Sequence, residues 1–154
     1  MIRKAAIVSI SGPTLTKSEE IIIKKEKPWG IILFKRNISS ESQLIDLIKI
    51  IKKIMMDKKY PILIDEEGGK VSRLSNFLDN SQFNQKYFGS IYMQNKTIGT
   101  KLYKLYLNSI SKTLTKVGIN INTSPVLDLI KKNTHIVIGN RSYSTNPSIV
   151  NELG

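Results

Sequence analysis

The chain has 154 residues, of which 40% are hydrophobic and 23% are charged, so it is long enough for one domain with a hydrophobic core. It contains no cysteine, which excludes a disulfide framework and a thiolate metal site. Its formal net charge of +12 raises the question of an anionic partner, such as nucleic acid or a membrane surface.

The lysines that produce this charge are spread along the whole chain. They form only short pairs, such as the one at 24–25 and the one at 131–132, and no longer basic run occurs. No aromatic residues alternate with them in a pattern that would stack on bases. We therefore interpret the charge as lysine-rich composition and do not expect a nucleic-acid partner.

The N-terminus begins with two positive charges and a short apolar run from Ala5 to Ile10, which ends at Gly12 and Pro13. This run is too short for the core of a signal peptide, and no small-residue cleavage site follows it. No apolar stretch approaches the roughly 20 residues that span a bilayer. We expect a cytoplasmic protein with no membrane partner.

The hydrophobic pattern predicts short strands that alternate with amphipathic helices. In chain order we predict a strand at 5–10, a helix from the capping box at Thr16 to about Lys25, a strand at 31–34, a helix from a second capping box at Ser40 to about Met55, a strand at 62–64, a helix at 98–117, a strand at 119–127 and the start of a helix at 147–153. Residues 75–95 are polar and aromatic with weak periodicity, which predicts a loop with a little helix.

This order, with buried strands, predicts the α/β fold class and a parallel sheet with right-handed crossovers. No internal repeat, low-complexity linker or domain boundary interrupts the pattern. We therefore predict a single domain over residues 1–154.

In a parallel α/β sheet, functional groups gather at the C-terminal ends of the strands. Three of the four arginines, against 20 lysines, fall in polar clusters at such ends: Arg36, Arg73 and Arg141. A guanidinium binds carboxylates and paired oxygens in a geometry that an ammonium lacks. The arginines indicate either a binding site or structural ion pairs, for which Asp65 and Asp128 are the candidate partners.

Other chemistries are less well supported. Gly68 and Gly69 lack the spacing of a nucleotide-binding loop and instead predict a sharp turn with positive φ. Asp65 and Asp128 are either a catalytic carboxylate pair or one substrate ligand and one loop brace. His135 is the only histidine, and its loop position favours a solvated surface residue. One histidine cannot supply both a serine triad and a metal site, so we predict no metal and no cofactor.

Four segments together resemble the bacterial β-N-acetylhexosaminidases of glycoside hydrolase family 3. They are residues 30–37 (GIILFKRN), 64–74 (IDEEGGKVSRL), 118–128 (GININTSPVLD) and 138–143 (IGNRSY), and they occur in the order and at the spacing of the family. The resemblance implies the N-terminal half of a (β/α)8 TIM barrel with parallel strands and a sugar pocket at its C-terminal mouth. It also implies that Asp65, Arg73 and Arg141 contact hydroxyls of N-acetylglucosamine, which argues against Asp65 as half of a catalytic pair.

Members of this family remove terminal β-linked N-acetylglucosamine, typically from peptidoglycan fragments in the cytoplasm. They retain configuration by means of an aspartate nucleophile and a histidine acid/base. In the family these residues follow the segment that corresponds to 138–143, whereas this sequence ends at Gly154 and His135 precedes that segment. We therefore expect no catalytic residue in this chain and no hydrolysis by the chain alone. Lys70 stands where an arginine is common in the family.

A full barrel needs about 250 residues. Besides an N-acetylglucosamine-containing glycan, the expected partners are therefore a second polypeptide that completes the barrel, or a further copy of this chain by self-association. The alternative function is a non-catalytic fragment that binds sugar or, through its basic charge, nucleic acid.

Overall fold

The computed structural model describes residues 2–154, so Met1 of the predicted domain lies outside the described residues. The strands are β1 (Lys4–Val8), β2 (Pro28–Leu33), β3 (Ile62–Ile64) and β4 (Ile121–Asn122). The helices are α1 (Lys17–Glu26), α2 (Glu41–Ile54), α3 (Gln85–Gln94), α4 (Lys96–Val117) and α5 (Pro147–Leu153). Within residues 2–154, each helix falls short of the length or the apolar character that crossing a bilayer requires.

The four strands form one sheet in the order β1-β2-β3-β4, and every neighbouring pair is parallel. Ile31 of β2 lies opposite Ile62 of β3, and Leu63 of β3 lies opposite Ile121 of β4. Parallel strands that follow one another in chain order, with helices between them, are the arrangement of the first half of a (β/α)8 barrel. The predicted fold class is confirmed.

The described residues divide into two compact units. Unit 1 runs to Asp65 and also contains Arg73–Asp79 and Lys112–Thr123, so it includes all four strands, α1 and α2. Unit 2 contains Glu66–Ser72, Asn80–Ser111 and Ser124–Gly154, so it includes α3 and α5. Helix α4 begins in unit 2 and ends in unit 1. The assignment of residues 1–154 to one domain stays a prediction.

The core of unit 1 is built from β2, β3 and one face of α2. All three residues of β3 are buried, and α2 buries Leu44, Leu47, Ile48 and Ile51. These four positions repeat at helical spacing, which places them in one stripe. Burial of each such side chain contributes about 1.5–3 kcal/mol to folding.

The first two helices start where the sequence predicts. The Thr16 hydroxyl accepts the Glu19 N–H at 3.2 Å, and the Glu19 carboxylate accepts the Thr16 N–H at 2.8 Å, which completes the capping box. The Ser40 hydroxyl accepts the Gln43 N–H at 3.2 Å. The side chain of Gln43 reaches back to the N–H of Ser39 rather than to that of Ser40, so this second box is shifted by one residue.

Strand β2 begins three residues earlier than predicted, because the chain turns within one residue of the end of α1. Lys27 takes the left-handed conformation with φ 48° and turns the chain before Pro28. Proline is tolerated as the first residue of a strand, where no ladder N–H is required. Gly30 allows the strand to approach Pro61 closely, since an added Cβ would lie 3.1 Å from that residue.

Strand β4 is shorter than predicted, and β1 is less buried. The N–H groups of Asn120 and Thr123 donate to β3 carbonyls at 3.2 and 2.9 Å on either side of the two-residue strand. Pro125 has no N–H with which to extend the ladder. Residues 4–7 of β1 are exposed, because among the described strands β1 pairs only with β2.

The segment 75–95, for which the sequence predicts a loop with a little helix, contains more helix than expected, because α3 occupies most of its second half. The Asn84 side chain caps this helix by accepting the Tyr87 N–H at 3.0 Å. The apolar residues Phe88 and Tyr92 are buried, but so are the polar Gln85 and the small Gly89. This mixed buried face explains the weak periodicity of the sequence.

Tyr60 links the segment before β3 to the start of β2. Its side chain is fully buried, and its hydroxyl donates to the Pro28 carbonyl at 2.9 Å. Burial raises the pKa of Tyr60 to about 12, although the Arg3 guanidinium opposes this shift. Because the unfolded-state pKa is about 10, the stability linked to this proton is present below about pH 10 and is lost as the pH rises to about 12.

We predict that Tyr60→Phe lowers the free energy of unfolding by about 1–2 kcal/mol at neutral pH, because it leaves the buried Pro28 carbonyl without a donor. The difference from wild type should shrink above about pH 10, because only the wild type loses stability by ionising. Urea denaturation across this pH range measures both effects. Tyr87→Phe, at an exposed position, is the control and should change neither quantity. A difference that persists unchanged at the highest pH would contradict the assignment.

Candidate active site

Asp65 directly follows β3, one of the two strands that have neighbours on both sides. Its Oδ2 accepts a hydrogen bond from Arg73 Nη2 at 3.2 Å, and its Oδ1 accepts one from the Thr123 hydroxyl at 2.6 Å. The Asp65 and Arg73 side chains are 23% and 25% exposed. The ion pair at the C-terminal end of β3 is therefore held in place by the fold and still open to a ligand.

The ring of Phe34, just after β2, lies beneath two arginines. The guanidinium carbon of Arg36 is 4.8 Å from the ring centroid, and that of Arg73 is 5.6 Å away. Aromatic faces attract guanidinium groups. Arg36 also donates to the Ile10 carbonyl at 3.1 Å and to the Ser9 hydroxyl at 2.7 Å. Arg36 thus braces the loop that follows β1, whereas Arg73 braces Asp65.

The chain between Asp65 and Arg73 makes the sharp turn that the two glycines predict. Gly68 and Gly69 have φ values of 82° and 62°, which strongly favour glycine. Space also requires glycine here, because a Cβ on Gly69 would lie 2.7 Å from the Asn84 Cβ. The Glu67 N–H donates to the Val71 carbonyl at 2.9 Å and closes the turn.

Arg141 lies in unit 2, and its carboxylate partner there is Glu67. The Nε and Nη2 atoms of Arg141 donate to the two carboxylate oxygens of Glu67 at 2.8 and 2.9 Å. The Glu67 side chain is only 6% exposed, and a buried carboxylate is strongly destabilising without such a partner. Arg141 also lines a cavity of about 680 Å³ with residues 68–71 and 136–140. A paired two-point contact of this kind fixes the plane of the guanidinium.

Helix α3 positions the segment that carries Arg141. In the amide orientation that satisfies all its neighbours, the buried side chain of Gln85 donates to the Arg141 carbonyl and accepts the Val126 N–H at 2.8 Å. One turn later, Gly89 lets α3 contact the Tyr143 carbonyl so closely that a Cβ would overlap it. The Tyr143 hydroxyl is bonded to that of Tyr103, and burial raises the pKa of both phenols.

The structure thus brings Asp65 and Arg73 together in unit 1 and pairs Arg141 with Glu67 in unit 2. Asp128 and His135 are both exposed in unit 2, and His135 Nδ1 accepts the Val137 N–H at 3.2 Å. Among residues 2–154, no three acidic or histidine side chains gather in a way that could hold a metal ion. The sugar-binding roles of Asp65, Arg73 and Arg141 stay predictions.

Several supporting residues were not identified from the sequence: Phe34, Glu67, Gln85, Gly89 and Thr123. Apart from Arg36, which is two positions from Phe34, their partners are distant in the chain, so no local spacing marks them. For Gln85 and Gly89 one signal was present, namely the capping residue Asn84 before two aromatic residues four positions apart.

A carboxylate beside a guanidinium presents hydrogen-bond acceptors and donors side by side. Each carboxylate oxygen accepts more than one hydrogen bond, and a guanidinium carries five N–H donors in a fixed plane. A hydroxyl both donates and accepts, so two neighbouring hydroxyls of a sugar match this arrangement. Polyol recognition is the chemistry that the Asp65–Arg73 pair supports best.

We predict that Gly89→Ala lowers the free energy of unfolding by about 1–3 kcal/mol, because the new methyl group overlaps the Tyr143 carbonyl. Helix propensity alone predicts the opposite sign, a gain of about 1 kcal/mol. Chemical denaturation distinguishes the two outcomes. Gly12→Ala is the control, because a Cβ at Gly12 meets nothing within 4 Å. Stabilisation by Gly89→Ala would rule out the close contact.

Residues 4–154 match the model of the glycosyl hydrolase family 3 N-terminal domain. Beta-hexosaminidase A of Pseudoalteromonas piscicida is 31% identical over 146 residues, which cover 92% of this chain and 24% of that protein. A beta-hexosaminidase of Thioalkalivibrio sulfidiphilus is 29% identical over 147 residues, with coverage of 96% and 42%. The chain therefore spans less than half the length of these relatives.

The solved structures give the same result. The crystal structure of NagZ from Neisseria gonorrhoeae in complex with N-trifluoroacetyl-D-glucosamine superimposes with a TM-score of 0.86 at 29% identity. The match covers 98% of this chain and 45% of that one. Because the family model accounts for nearly the whole sequence, the chain belongs to the glycosyl hydrolase family 3 N-terminal domain family.

Proposed function

We propose that this chain forms the sugar-binding part of a β-N-acetylhexosaminidase, a glycoside hydrolase that removes terminal β-linked N-acetylglucosamine. The observation that carries the proposal is the Asp65–Arg73 pair, which lies at the end of a buried parallel strand and remains about one quarter exposed. Relatives named beta-hexosaminidase, and a NagZ structure that holds an N-acylglucosamine, support the choice of sugar.

Each proposed contact follows from the chemistry of its side chain. Asp65 accepts hydrogen bonds from ring hydroxyls, and Arg73 donates to their oxygens. Thr123 and Phe34 hold these two groups before the sugar arrives, which reduces the entropy lost on binding. We assign the third hydroxyl contact to Arg141, whose guanidinium plane Glu67 fixes.

We place the nucleophile and the acid/base outside residues 1–154. Asp65 serves the sugar in this proposal, and neither Asp128 nor His135 matches a catalytic position of the family. We further propose that the natural substrates are peptidoglycan fragments and that the protein acts in the cytoplasm. These two assignments rest on the family resemblance.

We predict that the 154-residue polypeptide binds N-acetylglucosamine and that Asp65→Asn weakens this binding about 10- to 100-fold, because it removes charge-assisted hydrogen bonds of about 1.5–3 kcal/mol. A titration followed by NMR chemical shifts measures the dissociation constant. Asp46→Asn is the matched control, because Asp46 is exposed on α2. Equal affinity of wild type and Asp65→Asn would remove Asp65 from the sugar site.

We also predict no turnover of an aryl β-N-acetylglucosaminide by the purified 154-residue polypeptide. The physical reason is that binding groups alone supply no nucleophile and no proton for the leaving group. Release of the aryl alcohol, followed by absorbance, is the measurement. Turnover that Asp65→Asn or Asp128→Asn abolishes would instead place the catalytic carboxylates within this chain.

A further inference from the structure

A groove on the outer surface of unit 1 plays no part in the proposed sugar site. It lies between the C-terminal halves of α1 and α2 and has a volume of about 620 Å³. Ile50, Ile54 and Met56 supply apolar surface, and Ile50 and Met56 are 50% and 80% exposed. Ile50 and Ile54 are one helical turn apart, so they form a continuous stripe along α2.

Lysines surround this apolar surface. Lys24 and Lys27 come from the α1 side and Lys53 from α2, while Glu20 is the one carboxylate among the described lining residues. Among residues 2–154, none of these three lysines has a carboxylate within ion-pairing distance. The carboxylates of unit 1 that form ion pairs do so with bases outside the groove. The three lysines and Glu20 therefore leave the groove with a net positive charge.

Two residues of the groove adopt a backbone conformation that normally favours glycine. Lys27 and Met56 have φ values of 48° and 50°, and no other non-glycine residue between 2 and 154 has positive φ. Each follows the end of a helix, where glycine is the usual choice. A side chain is unfavourable there, because its Cβ crowds the following carbonyl oxygen. Attraction between lysines and helix C-termini explains Lys24 and Lys53, but it explains neither an exposed Met56 nor its strained backbone.

The shape and chemistry of the groove select among anionic partners. Nucleic-acid binding without sequence preference uses aromatic stacking, and no aromatic residue lines the groove. A membrane surface is flat, whereas this surface is a cleft between two helices, and it lacks the aromatic side chains that anchor interfacial proteins. A helix with one apolar face flanked by carboxylates fits both the apolar stripe and the lysines.

We propose that the α1–α2 groove binds an acidic amphipathic helix of a partner protein. The apolar face of that helix packs on Ile50, Ile54 and Met56, and its carboxylates pair with Lys24, Lys27 and Lys53. This inference is independent of the proposed sugar site, because the two share no residue.

The test uses a fluorescent helical peptide with leucines at helical spacing and glutamates on both sides of that stripe. Anisotropy measures its binding to the full 154-residue chain, with a scrambled peptide of the same composition as the reference. Lys24→Glu with Lys53→Glu should weaken binding at least about tenfold, because two attractive pairs become repulsive. Lys101→Glu with Lys104→Glu makes the same change of charge on exposed positions of α4 and should leave binding within about twofold.

Met56→Gly separates a binding role from a structural one. Glycine relieves the positive φ, so the melting temperature should not fall, while loss of the apolar contact should weaken peptide binding about three- to tenfold. Equal binding of the scrambled peptide, or equal loss in the Lys101/Lys104 variant, would overturn the proposal. Tighter binding of anionic lipid vesicles or duplex DNA, lost on the same reversal of Lys24 and Lys53, would overturn it in favour of a lipid or a nucleic-acid surface.

Discussion

The burial of β3 is the constraint on which the candidate site depends. This strand has only three residues, all buried, and it is hydrogen-bonded to β2 on one side and β4 on the other. A strand held on both sides cannot shift its register without exposing its apolar residues. Asp65 follows it directly, so the position of that carboxylate is fixed by the sheet. Thr123, which follows β4, meets Asp65 for the same reason.

The excess of positive charge makes carboxylates the scarce groups of this chain. With 12 acidic residues against 24 basic ones, most lysines have no acidic partner to bind and remain solvated. Two of the arginines differ from most lysines in this respect. Arg73 and Arg141 each form an ion pair with a carboxylate at the end of β3 or just after it. A planar guanidinium held in this way keeps a defined orientation, which a flexible ammonium does not. This contrast indicates that these arginines hold fixed orientations, whereas most lysines contribute only positive charge.

The sequence predicts features that depend on residues a few positions apart, but it does not predict pairs of residues that are distant in the chain. The caps at Thr16 and Ser40 depend on residues three positions away, so both helix starts were predicted correctly. The burial of Gln85 and Gly89 depends on contacts with residues around 141–143, so the sequence predicts only a little helix where the ten-residue α3 forms. Arg141 and Glu67 are 74 positions apart, and nothing in their spacing predicts the pair. The family resemblance supplied the barrel topology that periodicity alone left open.

The two ends of unit 1 are electrostatically separate. The α1–α2 groove lies at the helix ends that precede β2 and β3, whereas Asp65 lies where β3 ends, and the strands run parallel. Strand β2 has six residues and spans about 20 Å at roughly 3.3 Å per residue, which exceeds the Debye length of about 8 Å at physiological salt. Charges in the groove are therefore screened from the carboxylate of Asp65. Under the two proposals, an anionic partner at one end is expected to leave the affinity for a neutral sugar at the other end unchanged.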